Sequence, residues 1–211
     1  LMELISIPLP SPAAGTSRAL SFLRFGKEGT GRKAYIQASL HADELPGMLV
    51  AHHLRNQLTK LEQQGQLLGE VILVPTANPI GLAQTLLGTS QGRFDLRTGQ
   101  NFNRLFHNLS GEVLERVQSQ LGSDPHANQK LIRTAIRDYL KEQTTIDELS
   151  AQRLALMRLA ADADVVLELR LGAAHRCAAG ASDVHPPLVA PAGHREPFDR
   201  HLRCPARDAP R

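Results

Sequence analysis

The sequence predicts an α/β fold in which a mixed, largely parallel sheet is flanked by helices. Two short apolar runs, residues 70–74 and 165–169, have the length and composition of buried strands. Longer stretches with helical spacing of apolar residues lie between them, and strands that alternate with helices build such a sheet. A chain of 211 residues is long enough to form a domain with a hydrophobic core.

The first predicted strands are residues 20–25 and 34–40, on either side of the glycine-rich turn 26–31. This turn lacks a Gly-Lys-Ser/Thr ending and a following helix, so a phosphate-binding loop is not expected. A helix follows over about residues 46–60, with a proline in its first turn. Its predicted buried stripe consists of Leu49, Leu54 and Leu58.

The strand 70–74 ends at Pro75, and residues 82–108 after it are rich in Gly, Asn, Arg and Phe without a steady period. That composition predicts an ordered functional loop. Helices are expected over 111–121 and 127–142. A capping box from Thr145 to Glu148 is expected to start the last helix, which ends near Ala161 before the strand 165–169.

The composition changes after residue 170. Ala, Arg, Pro and Gly make up 24 of the 41 residues from 171 to 211. We therefore divide the chain into a folded part, 1–170, and an irregular tail, 171–211. GC-rich DNA translated out of frame has this composition, which makes a frameshift one hypothesis; a natural Pro/Ala-rich linker is the other.

Charge and hydropathy exclude several classes of function. The net charge is +3, but residues 1–170 contain 18 basic and 17 acidic groups, so no nucleic-acid partner is expected. No run of about 18 apolar residues or basic-then-apolar leader occurs, so neither a membrane span nor export is expected. With only 2 cysteines, the cytoplasm is the expected compartment.

His41 and Glu44 directly follow the strand 34–40, where an open α/β sheet builds its ligand crevice. An imidazole and a carboxylate at this spacing can bind one zinc ion, although two solvated loop residues would have the same spacing. His52 and His53 are interpreted as ordinary residues of the following helix.

The loop 82–108 contains Asn103 and Arg104, which can bind a carboxylate through a two-pronged guanidinium and an amide. Arg93 and Arg97 in the same loop are candidates for polarising a carbonyl. The alternative is that these arginines are exposed solubilising charges.

Four motifs in this order resemble the succinylglutamate desuccinylase/aspartoacylase family, over about residues 30–170. They are Tyr35-Ile-Gln-Ala-Ser-Leu-His-Ala-Asp-Glu-Leu-Pro-Gly47, Val74-Pro-Thr-Ala-Asn-Pro-Ile-Gly81, Gly92-Arg-Phe-Asp-Leu-Arg-Thr-Gly-Gln-Asn-Phe-Asn-Arg104 and Asp162-Ala-Asp-Val-Val-Leu-Glu-Leu169. The resemblance implies the zinc-carboxypeptidase fold, incomplete at the C-terminus, with residues 1–170 as the N-terminal part of a zinc-dependent deacylase catalytic domain. It also implies a zinc-dependent hydrolase that removes an acyl group from a small acylated amino acid or related amine.

The resemblance also implies residue roles. His41 and Glu44 match the family's first two zinc ligands, and Asn103 and Arg104 match its pair that holds a substrate carboxylate. Arg93 or Arg97 would polarise the scissile carbonyl.

The sequence departs from the family at the third zinc ligand, a His in an Asp-Leu-His motif. This chain has Glu168-Leu169-Arg170 there, and arginine stays protonated. His175 and His185 are possible substitutes, whereas Glu196 lacks the strand context of a general base, so no base is identified. Two alternatives therefore stay open: an inactive, truncated fragment of such an enzyme, and a zinc carboxypeptidase that acts on peptides.

Overall fold

A computed structural model describes residues 1–170 and contains a five-stranded mixed sheet with helices on both faces. The strands of this sheet are β1 (Glu3–Leu9), β2 (Arg18–Phe25), β3 (Lys33–Ala38), β4 (Glu70–Val74) and β7 (Val165–Leu169). The helices are α1 (Leu45–Gln63), α2 (Pro79–Leu82), α3 (Ser110–Val117), α4 (Pro125–Glu142) and α5 (Glu148–Ala160). A small hairpin, β5 (Thr85–Leu86) and β6 (Thr89–Ser90), lies in the loop after α2.

The strand order of the sheet is β1-β2-β4-β3-β7. β1 pairs with β2, and β2 with β4, in antiparallel fashion, whereas β3 is parallel to both of its neighbours, β4 and β7. The predicted mixed α/β sheet flanked by helices is confirmed. The parallel part of the sheet is the part whose strand ends carry the candidate site.

The core is divided between the two faces of the sheet. On one face, Leu20, Tyr35 and Ile72 pack with Leu156 of α5. On the other face, Phe25 and Leu73 belong to the cluster that includes Ala51 and Leu58 of α1. A further cluster joins α3 and α4 to the outer side of α5; its buried members are Leu109, Val113, Ile136, Leu140, Leu154 and Met157.

Three details differ from the sequence-based predictions. β1 was not predicted at all. The capping box from Thr145 to Glu148 is wrong, because Asp147 caps α5 by accepting the backbone N–H of Ser150 at 2.9 Å. Leu58 is buried as predicted, but Leu49 is 60% exposed because the buried stripe of α1 follows Gly47, Ala51 and Leu58.

Within residues 1–170, no helix is long and apolar enough to cross a membrane. The predicted tail, 171–211, lies outside the described residues. The possible third ligands His175 and His185 lie outside them too, as does Glu196, which was not assigned as a general base, so these interpretations stay predictions.

Candidate active site at the carboxyl edge of the sheet

His41 and Glu44 lie in the loop that joins β3 to α1. Because β4 and β7 run parallel to β3, all three strands end at the same edge of the sheet. Ligand sites of open α/β sheets form at this edge. Both residues are only 7% exposed, so their side chains are buried and do not project into solvent.

Hydrogen bonds to backbone carbonyls hold the loops of this edge together. The Ala42 N–H donates to the Gly92 carbonyl at 2.9 Å, and the Asn78 side-chain amide donates to the Leu40 carbonyl at 3.0 Å. A Cβ at position 92 would lie 2.2 Å from the backbone nitrogen of Asp43. Only glycine permits this approach, which brings the residue after it, Arg93, next to His41 and Glu44.

The hydrogen bonds of His41 define which of its ring nitrogens carries the proton. Its Nε2 lies 2.8 Å from Asn101 Oδ1, and the same oxygen accepts the Asn103 N–H at 2.9 Å. Since Oδ1 is an acceptor, Nε2 carries the hydrogen and donates it. The other ring nitrogen, Nδ1, lies 3.3 Å from Glu44 Oε1 and 3.1 Å from Arg93 Nη1, and because a guanidinium only donates, Nδ1 is the acceptor of that second contact.

Arg93 bridges His41 and Glu44. Its Nη1 lies 3.1 Å from His41 Nδ1, and its Nη2 donates to Glu44 Oε1 at 3.0 Å. A guanidinium has only donors, so it can satisfy both acceptors at once. Its Nε also lies 3.6 Å from the Asp43 carboxylate, and its side chain is 45% exposed. Of the two arginines left open by the sequence, the structure therefore brings Arg93 to the site.

Arg97 is exposed, and in the described part of the chain it makes no hydrogen bond to this group. Arg104 is also exposed, and its Nη1 donates to the backbone carbonyl of Asn103 at 2.8 Å. His52 and His53 are exposed on α1 with their rings 5.6 Å apart, in keeping with their interpretation as helix residues.

Arg170 follows β7 and reaches the same loop. Its Nη1 and Nη2 donate to the side-chain oxygen of Asn103 at 2.8 and 3.0 Å. It also forms an ion pair with Glu168, which is only 6% exposed. The residue at the family's third-ligand position thus contacts the predicted substrate-binding residue Asn103.

Tyr35 lies on the strand that leads to this edge and is almost completely buried. Burial raises the pKa of Tyr35 well above its ordinary value, and the negative charge of Glu168 raises it further. The phenol therefore keeps its proton and donates it to Gln37 Oε1 at 2.6 Å.

Sequence reasoning assigned no role to Asn101 or Arg153. Arg153 lies on α5, is 7% exposed, and donates to the Gln100 side chain at 2.9 Å and to the Asn101 carbonyl at 3.3 Å. Burial lowers the pKa of Arg153. Arg153 therefore holds the loop segment whose Asn101 orients His41. In the sequence, only the position of Asn101 two residues before Asn103 could have pointed to a role for it.

The distance between His41 and Glu44 fits a zinc ion, but residues 1–170 contain too few ligands for one. Two ligands about 2.0–2.1 Å from a tetrahedral zinc ion lie roughly 3.3–3.4 Å apart, and His41 Nδ1 and Glu44 Oε1 are 3.3 Å apart. However, no group of three His, Cys, Asp or Glu side chains in residues 1–170 can hold a metal. Catalytic zinc sites usually have three protein ligands, so residues 1–170 alone do not complete one.

The site residues lie in a part of the chain that is similar to a known protein family. The model of the succinylglutamate desuccinylase/aspartoacylase catalytic domain matches residues 30–133, which contain His41, Glu44, Arg93, Asn103 and Arg104. No curated protein matches the chain.

Two solved structures from Shewanella are similar to it. A succinylglutamate desuccinylase/aspartoacylase family protein from Shewanella amazonensis SB2B is 31% identical with a TM-score of 0.60, over 81% of this chain and 47% of that chain. A protein of the same description from Shewanella frigidimarina NCIMB 400 is 24% identical with a TM-score of 0.66, over 81% and 46%. The chain thus spans about half the length of these relatives.

Proposed function

Residues 30–133 belong to the succinylglutamate desuccinylase/aspartoacylase catalytic-domain family, and from this premise we propose that the chain carries the N-terminal part of a zinc-dependent amide hydrolase. The substrate is a small N-acylated amino acid or related amine. The observation that carries the proposal is the convergence of His41 Nδ1 and Glu44 Oε1, 3.3 Å apart, at the carboxyl edge of the sheet.

In this proposal His41 and Glu44 are two of the zinc ligands, and the third comes from outside residues 1–170. Bound zinc lowers the pKa of a water molecule toward about 7 and polarises a carbonyl. Asn101 supports the metal ligand His41 by accepting its Nε2 hydrogen at 2.8 Å.

The remaining residues bind and orient the substrate. The exposed guanidinium of Arg104 and the amide of Asn103 hold its carboxylate. Arg93, beside the two metal ligands, directs a positive charge at the scissile carbonyl oxygen. No residue in the range 1–170 is assigned as the general base. The low cysteine content supports a cytoplasmic location as part of the same proposal.

The test is an assay of the zinc-loaded chain on N-acetyl and N-succinyl amino acids, with acetate or succinate release as the measurement. We expect release that is abolished in His41→Ala and reduced about 10- to 100-fold in kcat/KM in Arg104→Lys, since lysine cannot hold a carboxylate bidentately. Release of C-terminal residues from peptides in place of the acyl group would identify the carboxypeptidase alternative.

Arg170 favours a second candidate, an inactive chain, because it occupies the third-ligand position and pairs with Glu168. A folded chain that retains no zinc and hydrolyses neither substrate would support this candidate and refute the first. Arg170→His, which restores the family's ligand, would then be expected to retain zinc.

A further inference from the structure

Phe94 lies directly opposite the site residue Asn101 on a short antiparallel ribbon of the loop 82–108. The residues that follow each of them, Asp95 and Phe102, donate their N–H groups across the ribbon at 2.8 and 3.2 Å. Phe94 and Asn101 are therefore an opposed pair without a hydrogen bond between them. Side chains of such a pair lie on the same face of the ribbon, and closer together than those of a hydrogen-bonded pair.

The face that carries Phe94 and Asn101 is the face toward the candidate active site. Asn101 Oδ1 lies 2.8 Å from His41 Nε2, whereas Phe102, the next residue, is completely buried in the core with Leu149. Successive side chains of an extended ribbon alternate between its two faces. Phe94 is thus on the side of His41, and it is 49% exposed in the described part of the chain. Its ring offers an apolar surface to a ligand.

Arg104 lies within reach of the same surface. Its backbone N–H donates to the Asn101 carbonyl at 3.1 Å, which closes a four-residue turn whose ends are less than about 7 Å apart. Among residues 1–170 its guanidinium forms no ion pair, and its Nη1 donates to the backbone carbonyl of Asn103. The Arg104 side chain can therefore bind the carboxylate of a ligand.

The other two arginines of this loop act on carboxylates of the protein itself. Arg93 Nη2 donates to Glu44 Oε1 at 3.0 Å. Burial alone would raise the pKa of Asp147, but hydrogen bonds from the start of α5 and the positive charge of Arg97 lower it, so Arg97 lies close to Asp147. The loop therefore offers a single guanidinium, that of Arg104, for a ligand carboxylate.

Leu105, the residue after Arg104, adds a second apolar side chain. Its φ is 60°, in the left-handed region that residues other than glycine rarely adopt, and it is 69% exposed. An exposed apolar side chain is thus kept at a strained position directly beside the guanidinium. Backbone strain of this kind is concentrated at binding and catalytic sites.

We propose that Phe94 and Leu105 form an apolar subsite next to Arg104, and that the substrate is a monocarboxylate with an aromatic or branched aliphatic group. This inference rests on the proposed function for the carboxylate-binding role of Arg104, and it goes further by naming the class of substrate. The apolar group is carried either by the amino acid or by the acyl group. A second carboxylate of the substrate would lie against the ring of Phe94, where a charge is unfavourable.

The experiment measures the binding of substrate analogues to the full chain by isothermal titration calorimetry, with no metal added. The acids are N-acetylphenylalanine, N-benzoylglycine, N-acetylaspartate and N-acetylglycine, and the amide of N-acetylphenylalanine is the ligand without a carboxylate. We expect at least one aromatic acid to bind about tenfold tighter than the last two acids, because it buries apolar surface against Phe94. Which aromatic acid binds tighter distinguishes an apolar side chain from an apolar acyl group.

Variants of the two apolar residues test the subsite directly. Phe94→Ala should remove the preference for aromatic acids, whereas Phe94→Leu, which keeps an apolar side chain, should retain most of it. Leu105→Gly should weaken binding of the preferred acid but leave Tm unchanged or higher, because glycine relieves the strained φ. The matched control is Leu114→Ala, which removes a 53% exposed apolar side chain from α3. Its affinities should equal those of the parent.

Equal affinities for the four acids would overturn this inference but leave the proposed function intact, because the carboxylate would still be bound. A preference for aromatic acids that persists in both Phe94→Ala and Leu105→Gly would overturn it as well. A preference that is lost in Leu114→Ala too would also contradict it. No binding of any ligand, or equal binding of N-acetylphenylalanine and its amide, would overturn the carboxylate-binding role that the proposed function gives Arg104, and this inference with it.

Discussion

At the scale of single residues, Asn101 orients the ring of His41. Its Oδ1 accepts from His41 Nε2 at 2.8 Å and from the Asn103 backbone at 2.9 Å. We expect Asn101→Ala to lower the free energy of unfolding by about 1–3 kcal/mol, because the partly buried Nε2–H loses its acceptor. Asn101→Asp keeps an acceptor and should restore most of that stability. Urea unfolding measures both effects.

Asn108→Ala is the matched control for this change. Asn108 is exposed in the same loop and accepts only the Ser110 N–H in the described part of the chain, at 3.1 Å. Its loss should cost less than the loss of Asn101. Equal costs for the two alanine variants would show that the Asn101–His41 contact adds nothing beyond a local turn.

The sequence predicts part of this site because His41 and Glu44 directly follow an apolar strand, and strand ends are where α/β proteins build sites. It does not predict the contact of Asn101 with His41, 60 residues away, or that of Arg153 with Asn101, 52 residues away. Such contacts depend on how loops fold back over the sheet edge, which no local pattern encodes. The contact between Arg170 and Asn103 is of the same kind.

At the scale of elements, Asp164 joins β3, α4 and β7. Its Oδ2 accepts the Lys33 backbone N–H at 2.8 Å, and its Oδ1 accepts from Arg133 Nη1 at 2.7 Å. The backbone hydrogen bond from Lys33, followed by the hydrogen bond and charge of Arg133, lowers the pKa of Asp164 in spite of partial desolvation. The ionised carboxylate therefore stabilises the folded state.

We expect Asp164→Asn to lower stability by about 0.5–1 kcal/mol at pH 7, because the amide keeps an acceptor for Lys33 but loses its charge toward Arg133. A carboxyl whose folded pKa is lowered contributes fully above its unfolded pKa, about 3.9, and loses that contribution as the pH falls through the folded value. Urea unfolding from pH 7 to 2 should thus show the two proteins converging at the acid end.

Asp138→Asn is the control for that pH series. Asp138 faces Lys141 at 3.7 Å on α4, with 54% of its side chain exposed, and within residues 1–170 it forms no ion pair with another element. We expect little change at any pH. A constant difference between Asp164→Asn and the parent from pH 7 to 2 would contradict the assignment of the effect to the carboxylate charge.

Elements with a strong local pattern were predictable, and those defined by their partners were not. The apolar strands β4 and β7 and the proline-started α1 occur close to their predicted positions. β1 alternates inward residues Ile5, Ile7 and Leu9 with outward ones and contains Pro8, which is tolerated because β1 is at the sheet edge. The capping-box prediction failed because Glu148 pairs with Arg18 of β2 instead of reaching back to Thr145.

At the scale of the whole molecule, the edge strand β7 and exposed apolar residues of α1 lie on the same side of the protein. In the described residues β7 is an edge strand that pairs only with β3. The first turns of α1 adjoin it, since a Cβ at Gly47 would lie 2.8 Å from the Leu169 carbonyl. On these turns Leu45, Leu49 and Val50 are 59%, 60% and 50% exposed. Within residues 1–170, exposed apolar side chains beside an edge strand favour association.

We therefore expect the purified chain to self-associate through this side, and Leu49→Glu to weaken that association. Burying a leucine contributes about 1.5–3 kcal/mol, so the dissociation constant should rise about tenfold or more, measured by sedimentation velocity over a concentration series. Leu114→Glu is the control, since Leu114 is 53% exposed on α3, a helix that packs against α4. If Leu114→Glu weakens association as much as Leu49→Glu, or if the parent stays monomeric at all concentrations, the α1–β7 side is not the surface that drives it.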